Sequence, residues 1–231
     1  MKRIPGFEVA FDVDKSISYQ KITLKDVPLI VHLVQVDLSR HLSVVASDGK
    51  ETQYVKDFAR DTEVSVAINA NPFTKDKSPV GIWQNKDGVI SPKDERYDAV
   101  GFFLKNGKIA AKIFPNQEVT ATEDLIFVAG GFWQILKKGS IQEFKEVYDT
   151  RAAVGFNDKY LYFMVIEGEF PQESRGATFE ETAEIFLKLG CNEAFMFDGG
   201  GSAALAVNGK LCNKVWWQRK IPCMFGVKVL E

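Results

Sequence analysis

Residues 160–202 read YLYFMVIEGEFPQESRGATFEETAEIFLKLGCNEAFMFDGGGS. An apolar, β-branched and aromatic run at 160–167 predicts a strand. Thr178 and Glu181 have the spacing of a capping box. Phe179, Ala183, Phe186 and Leu187 recur at helical spacing, which predicts a helix over 179–189. Gly190 stands where a helix commonly ends in a left-handed residue. A second apolar run, AFMF at 194–197, predicts another strand. Strand, crossover helix and strand imply two parallel strands in one sheet. Glu167 ends the first strand and Asp198 follows the second, so both carboxyls are expected at the carboxyl end of the sheet, where α/β sheets commonly bind ligands.

The three glycines after Asp198 sharpen that expectation. Glycine loses more conformational freedom on folding than any other residue. A run of three suggests bare backbone around a space, and its N–H groups suit an anion-binding nest. Gly199, Gly200, Gly201 and Ser202 are therefore candidate binding residues. The run fits neither a P-loop nor a dinucleotide fingerprint, and GGGS is not the nucleophile elbow, so Ser202 is expected to hydrogen-bond the loop or a substrate oxygen.

Upstream, AAVGFNDKYLYFMVIEG predicts a hairpin turning at Asn157–Lys159. If Phe156 pairs with Tyr160, Arg151 falls opposite Val165, beside Glu167. An arginine offers paired donors to a phosphate or carboxylate. VSVAIN predicts a strand at 64–69 ending in Asn69. Two carboxyls can divide acid and base work when their pKa values are pushed apart. A strand-end acid is also a common solvated terminus, and Arg151 with Glu167 is also the pattern of a cross-strand ion pair.

Other strand signals dominate the chain. PLIVHLVQVDL and LSVVAS are separated by a short turn at Ser39–His41. Asn106-Gly107 and Asn208-Gly209 mark two-residue hairpin loops. MFGVKVL closes the chain as a strand. A short helix is predicted within ETQYVKDFARD, with Val55, Phe58 and Ala59 on one face. The expected fold is α/β or α+β: a single domain over 1–231 with a mixed, mostly β core and a few flanking helices.

Composition narrows the function. The 231 residues are 45% hydrophobic and 26% charged, with a formal net charge of -2, so no basic field points to nucleic acid. No apolar stretch approaches the roughly 20 residues of a membrane span. Lys2 and Arg3 are not followed by the apolar segment of a signal peptide, so the location is cytoplasmic at face value, or exported if a leader has been removed. The three cysteines, Cys191, Cys212 and Cys223, show no CxxC spacing and read as isolated thiols. His32 and His41 are the only histidines, and the alternation around His32 puts it on a sheet face.

With these residues placed, the sequence resembles the phosphodiester glycosidase domain family over about residues 60–231. FMFDGGGSAAL matches the family's Asp-Gly-Gly-Gly-Ser block, and GATFEETAEIFLKLGCNEAF its preceding helix. RAAVGFNDKYLYFMVIEG resembles its Arg-Thr-Ala stretch, with Ala152 for threonine and Glu167 where aspartate is common. AINANPF is similar to Ile-Asn-Gly-Gly-Phe-Phe, with Ala70 and Asn71 for both glycines. QRKIPCMFGVKV resembles the family's tail, with Gln218 for glutamate and Cys223 for asparagine. The resemblance implies hydrolysis at a sugar carbon whose leaving group is a phosphodiester, acting on a small-molecule or glycan sugar-phosphate. It points to Asp198 and Glu167 as catalytic. It points to Asn69, Arg151, Gly200, Gly201, Ser202 and Arg219 as substrate-binding, to which the reading of the glycine loop adds Gly199; separately, Trp216-Trp217 is a candidate stacking face. No cofactor is implied. Two other readings stay open: a non-catalytic glycan- or phosphate-binding module, and a phosphodiesterase whose carboxylates hold a divalent cation, since oxygen-only sites need no histidine.

Overall fold

The computed structural model describes residues 4, 6–12, 15–86, 88–120 and 122–230. Lys2 and Arg3, on which the N-terminal reading rests, lie outside them. Along the chain run β1 (Ile17–Leu24), β2 (Leu29–Asp37), β3 (Leu42–Ala46), α1 (Val55–Asp61) and β4 (Val66–Asn69). Then come β5 (Trp83–Asn85), β6 (Gly88–Ser91), β7 (Asp98–Lys105), β8 (Lys108–Phe114), β9 (Leu125–Phe132), β10 (Gln134–Lys137) and β11 (Ser140–Ile141). The chain continues through β12 (Arg151–Phe156), β13 (Tyr160–Ile166), α2 (Phe179–Lys188), β14 (Glu193–Met196), β15 (Leu205–Val207), β16 (Lys210–Leu211) and β17 (Met224–Val229).

These strands form three sheets, ordered β1-β2-β13-β12-β14-β10-β11, β16-β15-β4-β17-β3 and β6-β5-β9-β7-β8. With two helices added, the architecture is α+β and mostly β. One apolar core joins all three sheets, with Val34, Phe102, Phe127, Phe163, Phe197 and Phe225 among its members. A second core lies on the other face of the seven-stranded sheet, where Leu33, Ala153, Met164 and Met196 meet Ala183, Ile185 and Phe186 of α2. Strand alternation explains the split: in β13, Leu161, Phe163 and Val165 face the shared core, while Tyr162, Met164 and Ile166 face the helix.

The helix forms as its sequence dictates. The Thr178 hydroxyl accepts the Glu181 N–H at 3.1 Å, and the Glu181 carboxylate accepts the Thr178 N–H at 3.2 Å, which is the capping box. Gly190 follows the last turn at φ 78°. The buried stripe differs from the expected one: Thr182, Ile185 and Phe186 are buried and Leu187 is exposed. Its contact with the sheet is close. A methyl group on Gly155 of β12 would stand 2.3 Å from the Phe186 ring.

The crossover also forms, with one change. β13 and β14 both pair antiparallel with β12, which lies between them. They run in the same direction without touching, so Glu167 and Asp198 still emerge at one end of the sheet. The β12–β13 register is shifted by one from expectation: Phe156 pairs with Leu161, and Arg151 with Ile166. The Asn157 side chain causes the shift. Its Oδ1 accepts the N–H groups of Lys159 and Tyr160 at 2.9 and 2.8 Å, tightening the loop to Asp158-Lys159. The Asn106-Gly107 and Asn208-Gly209 hairpins form as read, with all four residues at positive φ. The turn after β2 does not pair β2 with β3; β3 instead joins β17 in the second sheet.

Candidate functional site

Asn69 ends β4 fully buried and ties the glycine loop down. Its Nδ2 donates to the Asp198 carbonyl at 2.6 Å, and its Oδ1 accepts the Ala204 N–H at 3.0 Å. The Asp198 N–H donates to the Ala70 carbonyl at 3.0 Å. One side chain thus holds both ends of the segment between Asp198 and Ala204.

Within that segment the glycines are required by geometry. A methyl on Gly199 would lie 2.5 Å from the Thr150 carbonyl oxygen, and Gly200 adopts φ 53°. The Gly200 N–H donates to that same carbonyl at 3.1 Å. The loop therefore lies directly on the start of β12. A methyl on Gly200 would come 3.8 Å from both carboxyl oxygens of Asp149, and one on Gly201 would come 3.2 Å from Arg219 Nε. Asp149 and Arg219 thus line the loop after Asp198.

The Asp198 carboxyl is partly buried. Burial pushes its pKa above the ordinary 3.8, and the negative charge of Asp149 adds to the rise. Ser202, the Arg219 charge and the Gly199 N–H oppose it without cancelling it. The Ser202 hydroxyl lies close enough to favour the Asp198 carboxylate, yet it makes no hydrogen bond of good geometry. Ser202 Oγ and Gln218 Nε2 are buried polar atoms left without a partner among the described residues. Both belong to the segments that carry Asp198 and Arg219. Buried polar groups are nearly always paired, so two orphans here call for an explanation, and a bound ligand is one.

Glu167 sits in different surroundings. It is 2% exposed. Its Oε1 is 2.7 Å from His32 Nε2 and accepts the Lys214 N–H at 2.8 Å. Burial pushes its pKa up, but the hydrogen bonds from His32 and from the Lys214 N–H, with the charge of Lys21, outweigh it and leave the carboxyl below the ordinary 4.5. The two acids singled out in the sequence are thus displaced in opposite directions.

Arg151 does not pair with Glu167. It lies opposite Ile166, on the α2 face of the sheet, whereas Glu167 is the next residue along β13. Its Nε donates to the Ala177 carbonyl at 2.7 Å, a terminal nitrogen donates to the Val147 carbonyl, and the guanidinium stacks on Phe179 at 4.6 Å. Burial pushes its pKa down and the charge of Asp149 pulls it up. Arg151 thereby fixes the irregular segment that presents Asp149. Of the two arginines, the exposed Arg219 is the one beside the loop.

Four of the residues that depart from the family pattern, Ala70, Asn71, Ala152 and Cys223, have structural roles. Ala70, Ala152 and Cys223 are fully buried in the shared core. Asn71 donates to the carbonyls of Val80 and Ile82 at 3.1 and 3.0 Å and accepts the Gly130 N–H at 3.0 Å. Trp216 and Trp217 are 72% and 79% exposed, and Trp216 stacks on Phe170 with ring centres 5.1 Å apart. A surface recess of about 870 Å³ lined by Gly49, Ser78, Ser91, Lys93 and Arg96 contains none of these residues. Among the described residues, no cluster of three or more His, Cys, Asp or Glu side chains suits a metal ion, and no helix is long and apolar enough to cross a membrane. Sequence reasoning missed His32, Asp149 and Lys214; each reaches the site only through non-local pairing or an irregular loop.

Comparison with known proteins shows the family and the fold. The chain is 35% identical over 180 residues to human N-acetylglucosamine-1-phosphodiester alpha-N-acetylglucosaminidase, covering 69% of this chain and 35% of that protein. It is 30% identical over 194 residues to an uncharacterized SPbeta prophage-derived protein of Bacillus subtilis, covering 75% of this chain and 28% of that one. The chain therefore spans about a third of the length of these relatives. The zebrafish N-acetylglucosamine-1-phosphodiester alpha-N-acetylglucosaminidase catalytic domain, auto-inhibited by its pro-peptide, superposes with a TM-score of 0.70 at 19% identity, covering 92% of this chain and 82% of that chain. A hypothetical protein from Synechocystis also gives 0.70, at 14% identity, covering 93% and 62%. The phosphodiester glycosidase family model matches residues 62–228, well over half of the sequence, and the chain belongs to that family.

Proposed function

We propose that this protein hydrolyses a sugar-1-phosphodiester at the sugar carbon, with Asp198 as the carboxylate that serves the reaction. The observation that carries this reading is Asp198 itself: a partly buried acid with a raised pKa, at the rim of a loop stripped of side chains, beside an exposed arginine. A raised pKa makes a carboxylate a stronger base. A phosphodiester oxygen leaves without prior protonation more readily than a sugar alkoxide, so a base matters more here than a strong acid. Water adds to the anomeric carbon and gives its proton to Asp198. The bond from that carbon to oxygen breaks, and its electron pair leaves with the phosphate. The products are the free sugar and a phosphomonoester.

In this scheme Arg219 and the N–H groups of Gly199–Ser202 hold the phosphate. The Ser202 hydroxyl and the Gln218 amide find partners in the substrate. Asn69 and Arg151 hold backbone in place. Glu167 stays ionised and enclosed, away from the bond that breaks.

The test is turnover on a panel of chromogenic sugar-1-phosphodiesters, with and without chelator, beside a melting curve. Asp198→Asn keeps size and one accepting oxygen but cannot ionise. We expect it to fold and to lose about a hundredfold or more in turnover. A folded variant with near-normal turnover would remove Asp198 from the chemistry. Loss of wild-type turnover with chelator would favour a cation-dependent reaction.

A further inference from the structure

Glu167 is joined to the surface by a chain of hydrogen bonds that crosses two strands. His32 lies on β2 directly opposite Val165 of β13, fully buried, with Nε2 2.7 Å from Glu167 Oε1. Its other ring nitrogen, Nδ1, is 2.8 Å from the hydroxyl of Tyr19 on β1, whose ring stacks on the imidazole at 6.2 Å. With the Tyr19 hydroxyl donating to Nδ1, the ring carries its proton on Nε2 and donates it to Glu167.

The far end of this chain is a loop. The same carboxylate oxygen accepts the Lys214 N–H at 2.8 Å. Neighbouring contacts fasten the segment further: Lys214 Nζ pairs with Glu173 at 3.1 Å, and Trp216 Nε1 donates to the Glu169 carbonyl at 3.0 Å. The exposed parts of this clamp are worth little individually. The Glu167 contact is partly buried and charge-assisted, and bonds of that kind are roughly twice as strong as neutral ones. Five residues beyond Lys214 the same segment delivers Arg219 to the glycine loop.

We propose that Tyr19, His32 and Glu167 act as positioning residues, a hydrogen-bonded chain through which the β1–β2 hairpin pins residues 214–219 and sets Arg219 for the phosphodiester. This rests on the reading in which Arg219 holds the phosphate. It also assigns a task to β1 and β2, which precede the residues matched by the family model. Burying a carboxylate and an imidazole is costly unless they are paired, so a pair retained beneath a functional loop fits an anchor.

The test compares Tyr19→Phe, His32→Gln and Arg219→Ala in this chain with wild type by steady-state kinetics on a sugar-1-phosphodiester and by amide hydrogen exchange of residues 213–220. Tyr19→Phe removes the hydroxyl that faces both His32 Nδ1 and Cys212 and keeps the ring, so it remains informative if His32→Gln fails to fold. Both anchor variants are expected to speed exchange across 213–220 and to raise KM about three- to tenfold, more than they lower kcat. Unchanged exchange in Tyr19→Phe, or a fall in kcat with KM unchanged, would overturn the anchor. Arg219→Ala separates the two ideas. If it leaves KM unaltered while the anchor variants still speed exchange, the phosphate role of Arg219 fails and the pinning of the loop stands.

Discussion

At the scale of single residues, Asp198 joins reactivity to a stability penalty. Its folded pKa is raised above 3.8, so the folded state holds the proton to higher pH than the unfolded chain does. Stability must then fall as pH rises from the unfolded value through the folded one, and the ionised residue is a net cost above that window. Asp198→Asn is therefore expected to melt at the same temperature as wild type or higher at pH 7; a large fall in its melting temperature would contradict the cost assigned to burying its charge. Glu167 has the opposite sign. Its folded pKa is depressed below 4.5, so its contribution is present above that value and is lost as pH falls through the folded one. Asp149 adds a kinetic prediction. Its charge helps to hold Asp198 protonated. Asp149→Asn should shift the rising limb of the pH profile of kcat/KM to lower pH, and a profile that stays in place would show that the two carboxyls do not communicate.

At the scale of elements, the packing of α2 on the sheet is the most exacting contact. Phe186 covers Gly155 of β12 so closely that no β-carbon fits. Gly155→Ala should destabilise by about 1–3 kcal/mol, the usual cost of overpacking a core. Thr178→Ala removes the cap of the same helix and should cost about 1 kcal/mol. Chemical denaturation of both variants checks these values, and an unperturbed Gly155→Ala would mean that helix and strand are not held at the described separation. The elements also show how much a sequence can carry. The capped helix was legible because Thr178, Glu181 and Gly190 act within a few residues of one another. The two Asn-Gly hairpins were legible for the same reason. The β12–β13 register was missed by one residue because the Asn157 side chain, bonding to Lys159 and Tyr160, shortened the loop.

At the scale of the whole molecule, the sequence supported a common sheet edge for Glu167 and Asp198, because the crossover fixes the direction of β13 and β14 regardless of what lies between them. It did not show that β12 separates the two strands or that the expected partner of Glu167 would be His32. The first depends on β14 pairing with β12, and the second on β2 pairing with β13, a contact between residues more than a hundred positions apart. Asp149 was invisible for another reason: residues 142–148, just before it, have no regular secondary structure, so no periodicity marked its place. Once three sheets close over one core, Asp149 and Arg219 meet the glycine loop beside the start of β12. The reaction proposed for the intact protein is cleavage at carbon, which one isotope experiment decides. A sugar-1-phosphodiester is hydrolysed in water enriched in oxygen-18, and the products are weighed by mass spectrometry. We expect the label in the hydroxyl of the released sugar and none in the phosphomonoester; label in the phosphate would mean attack at phosphorus and would contradict the function assigned to Asp198.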